Sequence, residues 1–254
     1  MANTLFIGKV YLCFDELPST NDYAREFIAK SKPPEGTVVR AVSQSAGRGQ
    51  FGSQWLSAAG KNLTLSIILY PAWLPATAAF RLSEAMALAV RDTVLRTLRL
   101  ADGSVVRLKW PNDVYIGSKK VAGILIQNAI SGRSWQSSIV GIGLNINQAE
   151  FSPELPAAGS LALASGAAFE LEEVAGVLFE CLEQRYLQLK NNHIAALRAD
   201  YHACLLGLGE PRQFVRPGGD RFEGVIQGVA DDGSLILRTG NGTAHFAVKE
   251  VQLV

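Results

Sequence analysis

The chain has 254 residues, of which 48% are hydrophobic and 19% charged, and its formal net charge is +1. That is enough apolar chain for one large domain and a small second one, and the near-neutral balance points away from nucleic acid or a membrane surface as the main partner. Cys13, Cys181 and Cys204 are scattered in neither a metal nor a disulfide spacing, residues 1–14 do not read as a leader, and no apolar run reaches membrane-spanning length, so a reducing cytoplasm is the expected compartment.

In chain order, Ser19 and Thr20 stand before a helix expected from about Asn21 to Lys30, where either could serve as its cap. Residues 36–43 (GTVVRAVS) and 62–70 (NLTLSIILY) are rich in β-branched side chains and bounded by Gly or Pro, which predicts strands. Apolar residues at helical spacing predict helices over 77–98 and 171–189. Between them, residues 105–108, 121–127 and 138–143 read as strands, with a hairpin beginning over 113–119. Sequential strands with tight turns predict an α+β domain over residues 1–205. Its sheet is expected to be mixed and largely antiparallel, with helices on one face. After residues 205–210 (LLGLGE) the rhythm shortens, with turns at 217–219, 231–233 and 240–242. That spacing predicts a small β-barrel over residues 206–254.

Residues 47–52 (GRGQFG) match the glycine pattern of dinucleotide-binding loops. The context refutes that reading. No helical stripe follows, and no Asp or Glu occurs between Glu35 and Glu84 to hold a ribose. The acid-free interval contains Arg40, Arg48, Lys61 and Arg81 without a countercharge, so the loop reads as an anion-binding loop or as a plain glycine-rich hairpin.

Three further segments carry chemistry. Lys109-Trp110-Pro111-Asn112-Asp113 sets a rigid corner after a strand, or is an ordinary Pro-Asn-Asp turn. Lys120 opens a strand of small and apolar residues, where it can reach along a groove toward anionic oxygens or simply blunt a sheet edge, and Gly123 allows close backbone approach. Gly141, Gly143 and Asn145 lie in a strand whose glycines suggest a ligand against the backbone.

Ser19-Thr20-Asn21, GRGQFGSQW over 47–55, KWPND over 109–113, KVAGIL over 120–125 and GIGLN over 141–145 stand in the order of the biotin protein ligase family, which the catalytic part of the chain resembles almost end to end. The resemblance implies a class II aminoacyl-tRNA-synthetase-like catalytic domain followed by an SH3-like barrel. It further implies that biotin and ATP form biotinyl-5′-AMP, and that biotin then passes to a lysine of a biotin carboxyl carrier protein or carboxylase carrier domain. Both steps develop negative charge on oxygens, so positioned cations are required. By the resemblance, Lys120 is the main electrostatic stabiliser and Arg48 anchors the mixed anhydride. Lys109, Asn112 and Asp113 shape the nucleotide side, with Asp113 near Mg²⁺. Ser19, Thr20 and Gln44 hydrogen-bond the ureido ring of biotin, and Asn21, Gly47, Gly49, Gln50, Gly123 and Gly143 are further positions that bind biotin or ATP. Trp55 covers the adenine and Asn145 reads it. Gln50 departs from the family, in which a second arginine is common, and is expected to hold the intermediate less tightly while catalysis survives. No DNA-binding module is expected before the first strand, and a free sheet edge is the expected route to a homodimer. The rival readings are a lipoate or octanoate transferase of the same fold and a non-catalytic biotin sensor.

Overall fold

The computed structural model describes residues 3–132 and 134–254, so Met1 and Ala2 of the stretch read for a leader lie outside the described residues. The aliphatic, β-branched runs form seven strands: β1 (Tyr11–Leu17), β2 (Val38–Gln44), β3 (Leu63–Leu69), β4 (Val106–Lys109), β5 (Asp113–Ile116), β6 (Lys119–Ser131) and β7 (Ser134–Leu144). Their order in the sheet is β1-β2-β3-β7-β6-β5-β4. Only β1 and β2 run parallel, and every other neighbouring pair is antiparallel. The sheet is therefore mixed and largely antiparallel, as expected.

A parallel pair needs a crossover, and α1 (Thr20–Ser31) is that crossover. Side chains alternate along a strand, so each strand has two faces. From β3, Leu63, Leu65, Ile67 and Leu69 enter the main core against α2 (Ala79–Leu98) and α4 (Leu171–Lys190), which the short α3 (Leu161–Ser165) precedes. Ile68 points the other way and packs with Val39 and Ile139 under Ala24 of α1. Helices thus cover both faces, which corrects the expectation of one. The parallel β1–β2 crossover, invisible in a periodicity reading, puts α1 on the second face. At the start of the chain the buried Glu183 carboxylate accepts the backbone N–H groups of Leu5, Phe6 and Ile7 at 2.5, 2.7 and 3.0 Å, tying this segment to α4.

After α5 (Ile194–Ala203) come β8 (Pro211–Val215), β9 (Arg221–Val229), β10 (Leu235–Thr239), β11 (Gly242–Phe246) and β12 (Gln252–Leu253). They form an antiparallel sheet in the order β11-β10-β9-β8-β12, with its turns at the three expected places. Among the described residues β11 and β12 do not pair, so no closed barrel is found. A two-residue β12 is too short to complete a closing ladder. The sheet docks on the catalytic part through Trp110 Nε1, which donates to Gly233 O at 2.9 Å, and through His202 Nε2, which accepts Val229 N–H at 3.2 Å. No helix among the described residues is long and apolar enough to cross a membrane.

Candidate active site

On the α1 face, strand register places Thr64, Gly143 and Gly123 in one cross-strand row and Ser66, Gly141 and Leu125 in the next. A Cβ on Gly143 would stand 2.1 Å from the Trp55 ring, one on Gly123 2.9 Å from it, and one on Gly141 2.3 Å from Asn21 Oδ1. The strand glycines expected to seat a ligand instead seat the Trp55 indole and the Asn21 carboxamide. No side chain would fit beneath either.

Above this floor lies a cavity of about 220 Å³. The start of α1 contributes Ser19, Thr20 and Asn21, and the end of β2 contributes Gln44. Arg48, Gly49, Gln50 and Trp55 arrive from the glycine loop, Asn112 and Asp113 from the corner between β4 and β5, and Lys120 from β6. Ser19 caps α1, its Oγ accepting Asp22 N–H at 3.4 Å, while Thr20 presents N–H and Oγ1 to Gln44 Oε1 at 2.8 and 3.2 Å.

Three expected residues do not line this cavity. Gly47 lies along a shallower neighbouring groove. Lys109 stands beside it: its Nζ donates to Leu253 O at 3.1 Å and lies 5.7 Å from the Tyr115 ring centre. Burial pushes its pKa down, with Asp113 opposing. Lys109 thus also fastens the C-terminal sheet, through the Leu253 carbonyl. Asn145 lines an adjoining pocket of about 280 Å³, with Phe151, Leu155 and Pro156, that shares Trp55 and Lys120 with the main cavity. Its Nδ2 donates to Gly159 O at 3.0 Å, while its buried Oδ1 has no partner.

The cations are paired. Lys120 Nζ is 2.7 Å from Asp113 Oδ1, and Arg48 Nε is 2.9 Å from Asp22 Oδ2. Farther off, Arg40 pairs with Glu172 and Arg81 reaches Asp231 at 3.9 Å. Arg40, Arg48 and Arg81, three of the four cations of the acid-free interval, thus have countercharges, and the acids come from α1, α4 and the β9–β10 turn, remote in sequence. Asn112 braces the corner, its Nδ2 donating to Ile124 O at 2.9 Å and its carbonyl accepting Ile124 N–H at 3.0 Å.

Asp22, Ser66 and Gln127 were not singled out from the sequence. Ser66 Oγ is 2.8 Å from Thr20 Oγ1 and 2.6 Å from Asn21 Oδ1, and Asn21 Nδ2 donates to Gln127 Oε1 at 3.2 Å. The available signal was the period-two placement of Thr64 and Ser66 in an otherwise apolar strand. Among the described residues no group of three or more His, Cys, Asp or Glu side chains could hold a metal ion.

Fold and cavity together define an α+β ligand-binding domain that brings one lysine and one arginine to a small polar slot beside an apolar pocket. The sequence pattern of the biotin/lipoate A/B protein ligase family matches residues 13–145, and that of the biotin protein ligase C-terminal domain matches residues 208–253. The chain is 32% identical over 253 residues to the bifunctional ligase/repressor BirA of Bacillus subtilis, covering 98% of this chain and 76% of that protein. It is 36% identical over 219 residues to the biotin--[acetyl-CoA-carboxylase] ligase of Paracoccus denitrificans, covering 84% and 88%. The structure of the biotin protein ligase from Aquifex aeolicus in complex with biotin and ATP superimposes with a TM-score of 0.80 at 26% identity, covering 97% of this chain and 99% of that one. The chain belongs to the biotin/lipoate A/B protein ligase family.

Proposed function

We propose that this protein activates biotin with ATP to biotinyl-5′-AMP and transfers biotin to a lysine of a carrier domain. The observation that carries the reading is the position of Lys120. It is shared by a slot walled by Ser19, Thr20 and Gln44 and by a pocket where the buried Asn145 Oδ1 lacks a partner. The neutral slot suits a cyclic urea, and the orphaned acceptor suits the exocyclic amine of adenine. Lys120 then lies where carboxylate and α-phosphate meet.

In the first step a biotin carboxylate oxygen attacks the α-phosphorus. The bond to the β-phosphate breaks, and pyrophosphate leaves with the electron pair. In the second, the neutral amine of the carrier lysine attacks the acyl carbon. The carbon–oxygen bond to AMP breaks, the phosphate leaves with the electron pair, and the amine's proton passes to water. Lys120 leaves Asp113 to donate to the oxygens that gain charge, and Arg48 leaves Asp22 to do the same from the loop.

Magnesium belongs to this reading as an ion carried by ATP. Asp113 is the one carboxylate among the described residues lining the cavity, and it already pairs with Lys120, so the side chains fit an ion held chiefly by phosphates. Such an ion would neutralise phosphate charge as pyrophosphate leaves. Residues 1–205 would form the catalytic unit and 206–254 the C-terminal one. Past Gly123, β6 outruns its ladder with β5, and this edge is the proposed route by which two copies pair. Biotin-dependent ATP–pyrophosphate exchange tests the reading, with wild type beside Lys120→Ala. Exchange that falls by about 10²-fold or more in the variant is expected. Exchange with lipoate in place of biotin moves the protein to the rival transferase.

A further inference from the structure

The Thr20 hydroxyl has one proton and two neighbours able to take it, Ser66 Oγ at 2.8 Å and Gln44 Oε1 at 3.2 Å. Asn21 settles the choice. Its Nδ2 faces the Leu125 carbonyl at 3.5 Å and Gln127 Oε1 at 3.2 Å, and a backbone carbonyl only accepts. Oδ1 is therefore the atom turned toward Ser66, and it also only accepts, so at 2.6 Å Ser66 must give its proton to Asn21. Ser66 Oγ is left with lone pairs toward Thr20, which donates to it. Gln44 Oε1 already holds the Thr20 backbone N–H at 2.8 Å. Ser66, Thr20 and Asn21 are all buried, so the opposite polarity would strand Asn21 Oδ1 without a partner. Gly141, the cross-strand partner of Ser66, leaves the space in which the Asn21 amide lies.

We infer that Ser66, backed by Asn21, is a positioning residue that fixes the polarity of the slot, so that Thr20 Oγ1 offers only lone pairs and accepts a ring N–H of the ligand. Ser19, whose Oγ accepts Asp22 N–H, keeps its own proton for the urea carbonyl. Gln44, with Oε1 turned to Thr20, has Nε2 toward Gly47 of the glycine loop. The acceptor at Thr20 favours a ring N–H over a ring oxygen at that position, and so discriminates against the carbamate that turns its oxygen toward Thr20. The inference rests on the biotin reading of the cavity.

The test is calorimetric binding to the full chain, using biotin and two carbamate analogues in which one or the other ring N–H is replaced by an ether oxygen. Wild type is expected to bind biotin and to lose about tenfold or more on the analogue that turns oxygen toward Thr20, where lone pairs then face lone pairs. In Ser66→Ala the Thr20 proton is freed. Biotin should weaken by about fivefold, while the penalty on that analogue shrinks to about threefold or less. Ser66→Thr keeps the hydroxyl and restores the wild-type ratio. Equal loss on all three ligands in Ser66→Ala, or no loss, makes Ser66 a packing residue and overturns the inference while the biotin reading stands. If Ser66→Ala does not fold, the wild-type ratio decides, and indifference to both carbamates overturns the relay. Failure of wild type to bind biotin overturns the reading of the cavity and this inference with it.

Discussion

The Trp55 indole lies flat enough on Gly143 that a Cβ there would come within 2.1 Å of the ring, and its buried Nε1 finds no hydrogen-bond partner. The ring divides the polar slot from the apolar pocket, with Lys120 Nζ 5.7 Å from its centre. A buried N–H without a partner costs about 1–3 kcal/mol, so packing on the glycines is what holds the indole in this seat. Gly143→Ala should lift the ring from the floor. The expected result is an ATP KM raised by about tenfold with biotin affinity changed by less than about threefold, a split that steady-state exchange kinetics and calorimetry can read. Equal loss on both substrates would mean that the indole does not belong to the nucleotide side.

Arg48 is held by Asp22 in the first turn of α1, and Asp22 also pairs with Arg25 at 2.8 Å. Arg48 is half exposed, and surface pairs of this kind contribute about 0.2–1 kcal/mol, little enough for a ligand anion to displace. Asp22→Asn should free Arg48 and tighten biotin in the presence of ATP by about two- to fivefold. Unchanged or weaker binding in a titration would show that Arg48 is not drawn to the ligand.

Much of this arrangement was legible in the sequence because the motifs are local. The KWPND corner, the Lys120 strand and the turn residues of the C-terminal sheet each carry their own geometry, so their neighbours in sequence are their neighbours in space. What escaped depends on register and on distant pairing. Ser66 has meaning only once Gly141 and Leu125 stand beside it, and Asp22 matters only because α1 crosses over to the face that carries the glycine loop. The contact of Lys109 with the C-terminal sheet was hidden for the same reason. Its partner, the Leu253 carbonyl, is 144 residues away.

Gln50 opens the short 3₁₀ turn Gln50–Gly52 and lines both the main cavity and a second pocket reached by Phe80, Ser83 and Val248. An arginine there would put a third cation beside the slot. Hydrogen bonds to charged groups contribute about 1.5–3 kcal/mol, so Gln50→Arg should slow release of biotinyl-5′-AMP by about tenfold or more. Exchange should remain measurable, because Lys120 and Arg48 are untouched. Rapid filtration of the enzyme after loading reads the release rate. Identical rates in the two proteins would sink the idea that Gln50 loosens the intermediate.

Glu84 on α2 is 1% exposed, and burial pushes its carboxyl up to about 7 against the opposing pull of Arg198 and Arg81. Arg198 Nε stands 3.8 Å from Glu84 Oε1 and also binds Asp231 and the Val229 carbonyl, so the group sits where α2 and α5 meet the C-terminal sheet. Glu84 Oε2 and the neighbouring Tyr201 hydroxyl both lack partners. Because the folded pKa lies above that of an unfolded glutamate, the folded state favours the protonated carboxyl. The stability it contributes is complete below the unfolded pKa of about 4.3 and is lost as pH rises through about 7. Glu84→Gln mimics the protonated form. Its Tm should match wild type near pH 4 and exceed it near pH 8, by on the order of 1–3 kcal/mol in stability. Thermal unfolding at the two pH values measures the difference. Parallel curves at both would show that Glu84 stays ionised and paired with Arg198 throughout.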